Sequence, residues 1–224
     1  MACVRERLEM VFLDVGGVLY RDDGYRLAIR RALRELGAAF ADEDYDAEYE
    51  ACRRAQDGSF RTRLAARFLG PGADLRELEL RARRWWRYEP SDLEPDAVPA
   101  LENLAARYRL GLIANQPSAV REALARDGLE PFFEFLGVSE DLGIDKPDPR
   151  IFEHALRRTG VRADRAAMVG DRLDYDVRPA RAVGMRAVWV LRGEAPADPR
   201  PDQLEEADAV VRSLEELPAA LEPP

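Results

Sequence analysis

Of the 34 basic residues in this chain, one is lysine: Lys146, in the segment Gly-Ile-Asp-Lys-Pro-Asp-Pro-Arg-Ile-Phe at 143–152. An ammonium is a compact point charge and a guanidinium a planar fork, so a site that needs the first cannot use the second. Lys146 is therefore a candidate for chemistry; the competing reading is one lysine surviving by chance in an arginine-biased chain. Three further polar residues interrupt apolar runs in a similar way. Asp14, Asn115 and Asp171 each stand at or just past the end of such a run. Two carboxylates, a carboxamide and an ammonium gathered in one place would make a site for a charged ligand.

The elements that must position these residues are legible as alternating patterns. Short apolar runs at 10–13, 110–114, 135–138, 167–169, 187–191 and 209–211 read as strands, and amphipathic patterns at 95–107, 118–127, 149–159 and 175–183 read as helices. Strand–helix alternation of this kind predicts an α/β fold, a Rossmann-like doubly wound parallel sheet. Residues 21–92 break the alternation, because they carry helical periodicity and no strand. Tyr25, Ile29, Leu33 and Leu36 share one face, as do Leu75, Leu78, Ala82, Trp85 and Trp86. The expected organisation is a core of 1–20 and 93–224 with a helical cap at 21–92 inserted after the first strand. Open α/β sheets bind ligands beyond the carboxyl ends of their strands, where Asp14, Asn115 and Asp171 are predicted to lie, with Lys146 in the loop before a helix.

Composition narrows the partners. The chain has 224 residues, 46% of them apolar, and a net charge of −9. That length and apolar content can bury a real core. The negative charge repels an extended phosphate backbone, so nucleic acid is not an expected partner. No apolar run is long enough for a membrane span, and 1–9 lacks the apolar stretch of a signal peptide. A cytoplasmic protein is expected, with Cys3 and Cys52 as free thiols and no particular oligomeric state implied. His154, the single histidine, follows Lys146 on a helix and reads as a surface or partly packed residue; without it no Ser-His-Asp set can be built.

Four segments in this order resemble the haloacid dehalogenase-like hydrolases that carry a helical (C1-type) cap after the first motif. They are Phe-Leu-Asp-Val-Gly-Gly-Val-Leu at 12–19, Leu-Ile-Ala-Asn at 112–115, Lys-Pro-Asp-Pro-Arg-Ile-Phe at 146–152 and Val-Gly-Asp-Arg-Leu-Asp-Tyr-Asp-Val at 169–177, followed by Ala-Val-Gly-Met at 182–185. The resemblance implies Asp14 as nucleophile, Lys146 as charge partner of nucleophile and phosphate, and Asn115 as a phosphate binder beside Gly17 and Ala114. It implies a metal site made of Asp14, the Gly16 carbonyl, Asp171 and Asp176. The chemistry agrees. Asp14, Asp171 and Asp176 near a phosphate dianion would repel it, so a hard divalent cation, Mg²⁺, is expected to bridge them.

Two positions depart from the family pattern. The phosphatases usually have a second aspartate two residues after the nucleophile, as acid and then base; here it is Gly16. The hydroxyl residue of the second motif is Ala114. Loss of a general acid costs roughly 10² to 10⁴ in rate, which weakens a phosphatase without removing the case for one. The leading expectation is a Mg²⁺-dependent phosphatase acting on a small phosphorylated metabolite through an aspartyl phosphate. A nearly silent relative that binds a phosphorylated ligand or partner also fits, and so does a dehalogenase-type hydrolase, although the retained Asp171 and Asp176 argue against the latter. Arg61 and Arg63 could meet a second anionic group of the substrate, with solvated helix arginines as the alternative.

Overall fold

A computed structural model describes residues 7–222, so Cys3 lies outside the described residues. The chain divides into two compact units, one formed by Asp22–Tyr88 and the other by the segments on either side of it.

The larger unit begins with β1 (Met10–Leu13), whose four side chains are all buried. The helical unit supplies α1 (Asp23–Glu35), α2 (Asp42–Ala55), α3 (Phe60–Phe68) and α4 (Leu75–Ala82). The larger unit then resumes with α5 (Ala97–Ala105), β2 (Arg109–Ala114), α6 (Val120–Arg126), β3 (Phe135–Val138), the single turn α7 (Ser139–Leu142), α8 (Pro149–Thr159) and β4 (Ala166–Gly170). It closes with α9 (Arg178–Ala182), β5 (Arg186–Val190), α10 (Pro201–Leu204), β6 (Ala209–Val211) and α11 (Leu217–Ala220). All six strands are parallel, in the order β3-β2-β1-β4-β5-β6. This is the doubly wound α/β sheet expected from the alternation.

Because β1 and β4 are central and covered on both faces, every residue of each is buried, as parallel strands under helices require. Met10, Phe12, Ile113, Met168 and Trp189 pack with Ile151, Phe152 and Ala155 of α8 into one apolar cluster. The register sets Leu13 beside Leu112 and Val169. Asp14, Asn115 and Asp171 follow directly at or just after the ends of β1, β2 and β4, so one edge of the sheet gathers them.

Helix α8 shows why some elements can be read from sequence to the residue. Asp148 accepts the Arg150 amide at 2.9 Å as N-cap, Pro149 takes the first helical position, and Gly160 ends the helix at φ +68°. The expected helix at 175–183 differs. The chain instead makes one wide π-type turn over Leu173–Val177, in which the Val177 amide reaches back to the Arg172 carbonyl at 3.2 Å, before α9 begins. Pro179 has no N–H to give to an α-helical bond with Tyr175, and the Asp176 carboxylate accepts the Arg172 amide at 3.0 Å. Trp85 and Trp86 also lie beyond the end of α4 at Ala82 rather than on it.

In the helical unit, Ala28, Ile29, Ala32 and Leu33 of α1 pack with Tyr45, Tyr49, Leu64, Leu78 and Ala82. Cys52 is buried in the same cluster. Trp86 packs against it between Tyr25 and Tyr88, each with ring centroids 4.8 Å away. Trp85 remains exposed, with the Arg31 guanidinium over its face. No helix among the described residues is long and apolar enough to cross a membrane.

Candidate active site

Asp14 is the first residue past β1, and its amide donates to the Val169 carbonyl at 2.9 Å, which ties it to β4. One carboxylate oxygen accepts the Val15 amide at 2.8 Å, and the other lies 2.9 Å from the Lys146 ammonium. That ammonium, 2% exposed as a residue, also meets Asp176 at 2.6 Å. Burial alone would push the lysine's pKa down; the Asp14 and Asp176 carboxylates outweigh it and hold the group above the ordinary lysine range, fully protonated. The cation that sequence singles out thus bridges two of the three acidic residues.

Asn115 is placed differently from a free phosphate ligand. Its Oδ1 accepts the Lys146 amide at 2.7 Å and its Nδ2 donates to the Lys146 carbonyl at 2.8 Å. Both ends of the carboxamide are committed to the peptide of residue 146, so Asn115 holds the lysine loop against the end of β2. Ala114 closes β2 with a buried methyl and offers no hydroxyl. The Gly17 amide is likewise engaged, donating to the Tyr20 carbonyl at 2.7 Å. What Gly17 contributes is room: at φ +67°, a Cβ there would stand 2.1 Å from Asp171 Oδ2.

Asp171 and Asp176 are buried almost completely. Oδ2 of Asp171 accepts the Glu194 amide at 2.6 Å, and the Asp171 carbonyl accepts the indole N–H of Trp189 at 2.8 Å. Burial raises the Asp171 carboxyl well above the ordinary aspartate range, and the nearby charges of Asp176, Asp14 and Glu194 add to the rise against the Glu194 amide. Asp176 is pushed up to about 6 by burial; Lys146 opposes the shift and Asp14 adds to it. Oxygens of Asp14, Asp171 and Asp176 lie within 4.8 Å of one another. One ammonium for three closely set carboxylates leaves excess negative charge in a dry place. Such a set of oxygen donors fits a hard divalent cation, which would lower the cost of ionising Asp171.

Arg61 and Arg63 are paired within the helical unit. Arg61 lies 2.5 Å from Glu79 and 3.1 Å from the Tyr25 hydroxyl, which itself donates to Glu79 at 2.9 Å. Arg63 pairs with Glu48. His154 is half-buried, its ring 6.1 Å from that of Phe135.

A family model described as a haloacid dehalogenase-like hydrolase matches residues 8–184. The chain belongs to that family. It is 41% identical over 146 residues to a phosphoserine phosphatase of Thermus thermophilus, covering 63% of this chain and 59% of that one. It is 40% identical over 102 residues to a glyceraldehyde 3-phosphate phosphatase of Methanopyrus kandleri, covering 45% and 44%. The chain thus spans about half the length of these curated relatives. Among solved structures, a haloacid dehalogenase-like phosphatase from Thermococcus onnurineus is 26% identical, with a TM-score of 0.62 over 96% of this chain and 98% of that one.

Trp189, Glu194 and Gly193 were not read from the sequence as site residues, whereas Gly17 was. Trp189 left a signal, since a tryptophan in an otherwise aliphatic buried strand needs a partner for its N–H. Glu194 left none, because it reaches Asp171 through its backbone amide.

Proposed function

We propose that this haloacid dehalogenase-like hydrolase is a Mg²⁺-dependent phosphatase of small phosphorylated metabolites, with Asp14 as nucleophile. The observation that carries the reading is Lys146 Nζ, held 2.9 Å from Asp14 and 2.6 Å from Asp176 in a buried site. An ammonium so placed keeps the Asp14 carboxylate aimed, and offers its remaining hydrogen-bonding capacity to an incoming phosphate oxygen.

In this reading Asp14 attacks phosphorus, the ester P–O bond breaks, and an aspartyl phosphate forms that water then cleaves to release phosphate and free Asp14. Bound by Asp14, the Gly16 carbonyl, Asp171 and Asp176, Mg²⁺ would supply positive charge for the phosphate dianion. Asn115 contributes by fixing the backbone of Lys146, and Ala114 and Gly17 by shaping the pocket beside it. Arg61 and Arg63 would serve a second anionic group of the substrate only by exchanging Glu79 and Glu48 for it.

Gly16 offers no side chain to protonate the leaving oxygen. Substrates whose leaving group needs little help, such as aryl, acyl or anomeric phosphates, are therefore the favoured class. The relatives named for phosphoserine and glyceraldehyde 3-phosphate support the broader class of small phosphate esters. Gly16 also favours one alternative, a protein that binds a phosphorylated ligand without turning it over. A phosphate-release screen separates the two. It should include acetyl phosphate, p-nitrophenyl phosphate, a hexose 1-phosphate, phosphoserine and glyceraldehyde 3-phosphate, each with and without Mg²⁺. Mg²⁺-dependent release strongest on the activated substrates is expected; binding without release on every substrate would favour the alternative.

A further inference from the structure

The carboxylate of Asp171 is oriented by a loop distant in sequence. Its Oδ2 accepts the amide of Glu194, four residues past β5, at 2.6 Å. Gly17 and Gly193 wall the same oxygen: a Cβ at Gly193, where φ is +57°, would come within 2.4 Å of it. With Oδ2 engaged and enclosed, the Asp171 carboxylate is held in one orientation beside Asp14 and Asp176.

The Glu194 amide can do this only while its loop stays in place, and the loop is bolted down by a buried arginine. Arg172, 6% exposed, directs one arm of its guanidinium to Asp174, at 2.9 and 2.7 Å, and another to the Glu194 carboxylate. Its guanidinium carbon lies 4.8 Å from the Tyr175 ring centroid. The backbone of the same residue donates to Asp176 at 3.0 Å. Arg172 therefore joins the turn that carries Asp176 to the loop that supplies the Asp171 contact. A fork with charge-assisted bonds at both ends suits such a role, and an ammonium does not.

We propose that Arg172 and Glu194 are positioning residues: their ion pair holds the Glu194 amide on Asp171 and thereby sets the site's affinity for a divalent cation. This rests on the Mg²⁺-dependent reading above. The sign of the effect distinguishes it from simple electrostatics. Arg172 is a positive charge beside a cation site, so on Coulombic grounds alone its removal should tighten Mg²⁺ binding and its replacement by lysine should change little. A positioning role predicts weaker binding in both cases.

The test is calorimetric titration of Mg²⁺ into the wild-type protein, Arg172→Lys and Arg172→Met, with circular dichroism to establish that each is folded. A loss of affinity of at least tenfold in both variants is expected. Unchanged affinity in Arg172→Lys, or tighter binding in Arg172→Met, would overturn the proposal while leaving the metal reading intact. Absence of Mg²⁺ binding by the wild-type protein would remove the metal reading and the clamp together. Should the arginine variants not fold, Glu194→Ala severs the same pair from the loop side. Hydrogen exchange at the residue 194 amide, measured by NMR without metal, should then accelerate at least tenfold over wild type; retained protection would reject the clamp.

Discussion

Lys146 sits between two carboxylates at 2.9 and 2.6 Å with almost no exposed surface, and that geometry fixes what a substitution must cost. Arginine keeps the charge but needs room for a planar fork in a site closed around a point charge. Lys146→Arg should lower phosphate release at least tenfold, measured on whichever activated phosphate turns over fastest; near-normal turnover would return the lone lysine to an accident of composition. Gly16 invites the opposite experiment. Gly16→Asp restores the carboxylate that the family's phosphatases usually carry at this position, so hydrolysis of alkyl phosphates should rise by up to roughly 10²-fold while activated substrates gain less. Kinetics on phosphoserine and p-nitrophenyl phosphate, with fold and Mg²⁺ affinity checked first, decide it. An equal gain on both, or none, would mean that leaving-group protonation is not what Gly16 lacks. Asp22 and Asp23, just beyond the first motif, are the other carboxylates in sequence that could act as acid; the Asp22 carboxylate accepts the Tyr88 hydroxyl at 2.7 Å within the helical unit.

At the scale of elements, what could be read from sequence is what local chemistry dictates. The Asp148, Pro149 and Gly160 signals set α8 from Pro149 to Thr159, and apolar runs between loops located all six strands to within a residue or so. The wide turn at Leu173–Val177 was not legible, because tertiary contacts set it: Asp176 folds back to the Arg172 amide, reaches Lys146 and packs on Gly170. The role of Asn115 was hidden for the same reason, since its partner lies 31 residues away in a loop that returns over β2. Arg172 was masked by the abundance of arginine, which gives no hint of which one is buried. Gly170 makes the point testable. A Cβ there would stand 2.2 Å from the Asp176 carboxyl carbon, so the turn must shift. Gly170→Ala should destabilise the protein by about 1–3 kcal/mol in urea unfolding and weaken Mg²⁺ binding; an unperturbed variant would show that Asp176 is less tightly seated than its packing implies.

For the molecule as a whole, the acidic cluster ties stability to pH and metal. Burial, with the Asp14 charge and against Lys146, sets Asp176 at about 6 when folded, above the ordinary aspartate value of 3.8. Between those values the native state binds more protons than the unfolded chain. The contribution of this group to stability therefore falls as pH rises through the window. Mg²⁺ should reverse the penalty by binding the ionised carboxylates, and protons compete with it. Thermal unfolding should accordingly show a larger Mg²⁺-induced rise in Tm at about pH 7.5 than at about pH 5.5; an equal or larger rise at the lower pH would contradict a metal held by these groups.

In the proposed reaction the phosphoryl group passes through Asp14. Because Gly16 provides no base to activate water, breakdown of the aspartyl phosphate should be slow relative to its formation on an activated substrate, and the intermediate should accumulate. Acid quench during turnover of acetyl phosphate, followed by mass spectrometry of the peptide that contains Asp14, measures this directly. A phosphoryl group is expected on Asp14, appearing in a burst, absent from Asp14→Asn, and matched by loss of more than nine-tenths of phosphate release in that variant. Steady turnover with no phosphorylated Asp14, in an enzyme whose Asp14→Asn variant still releases phosphate, would contradict it.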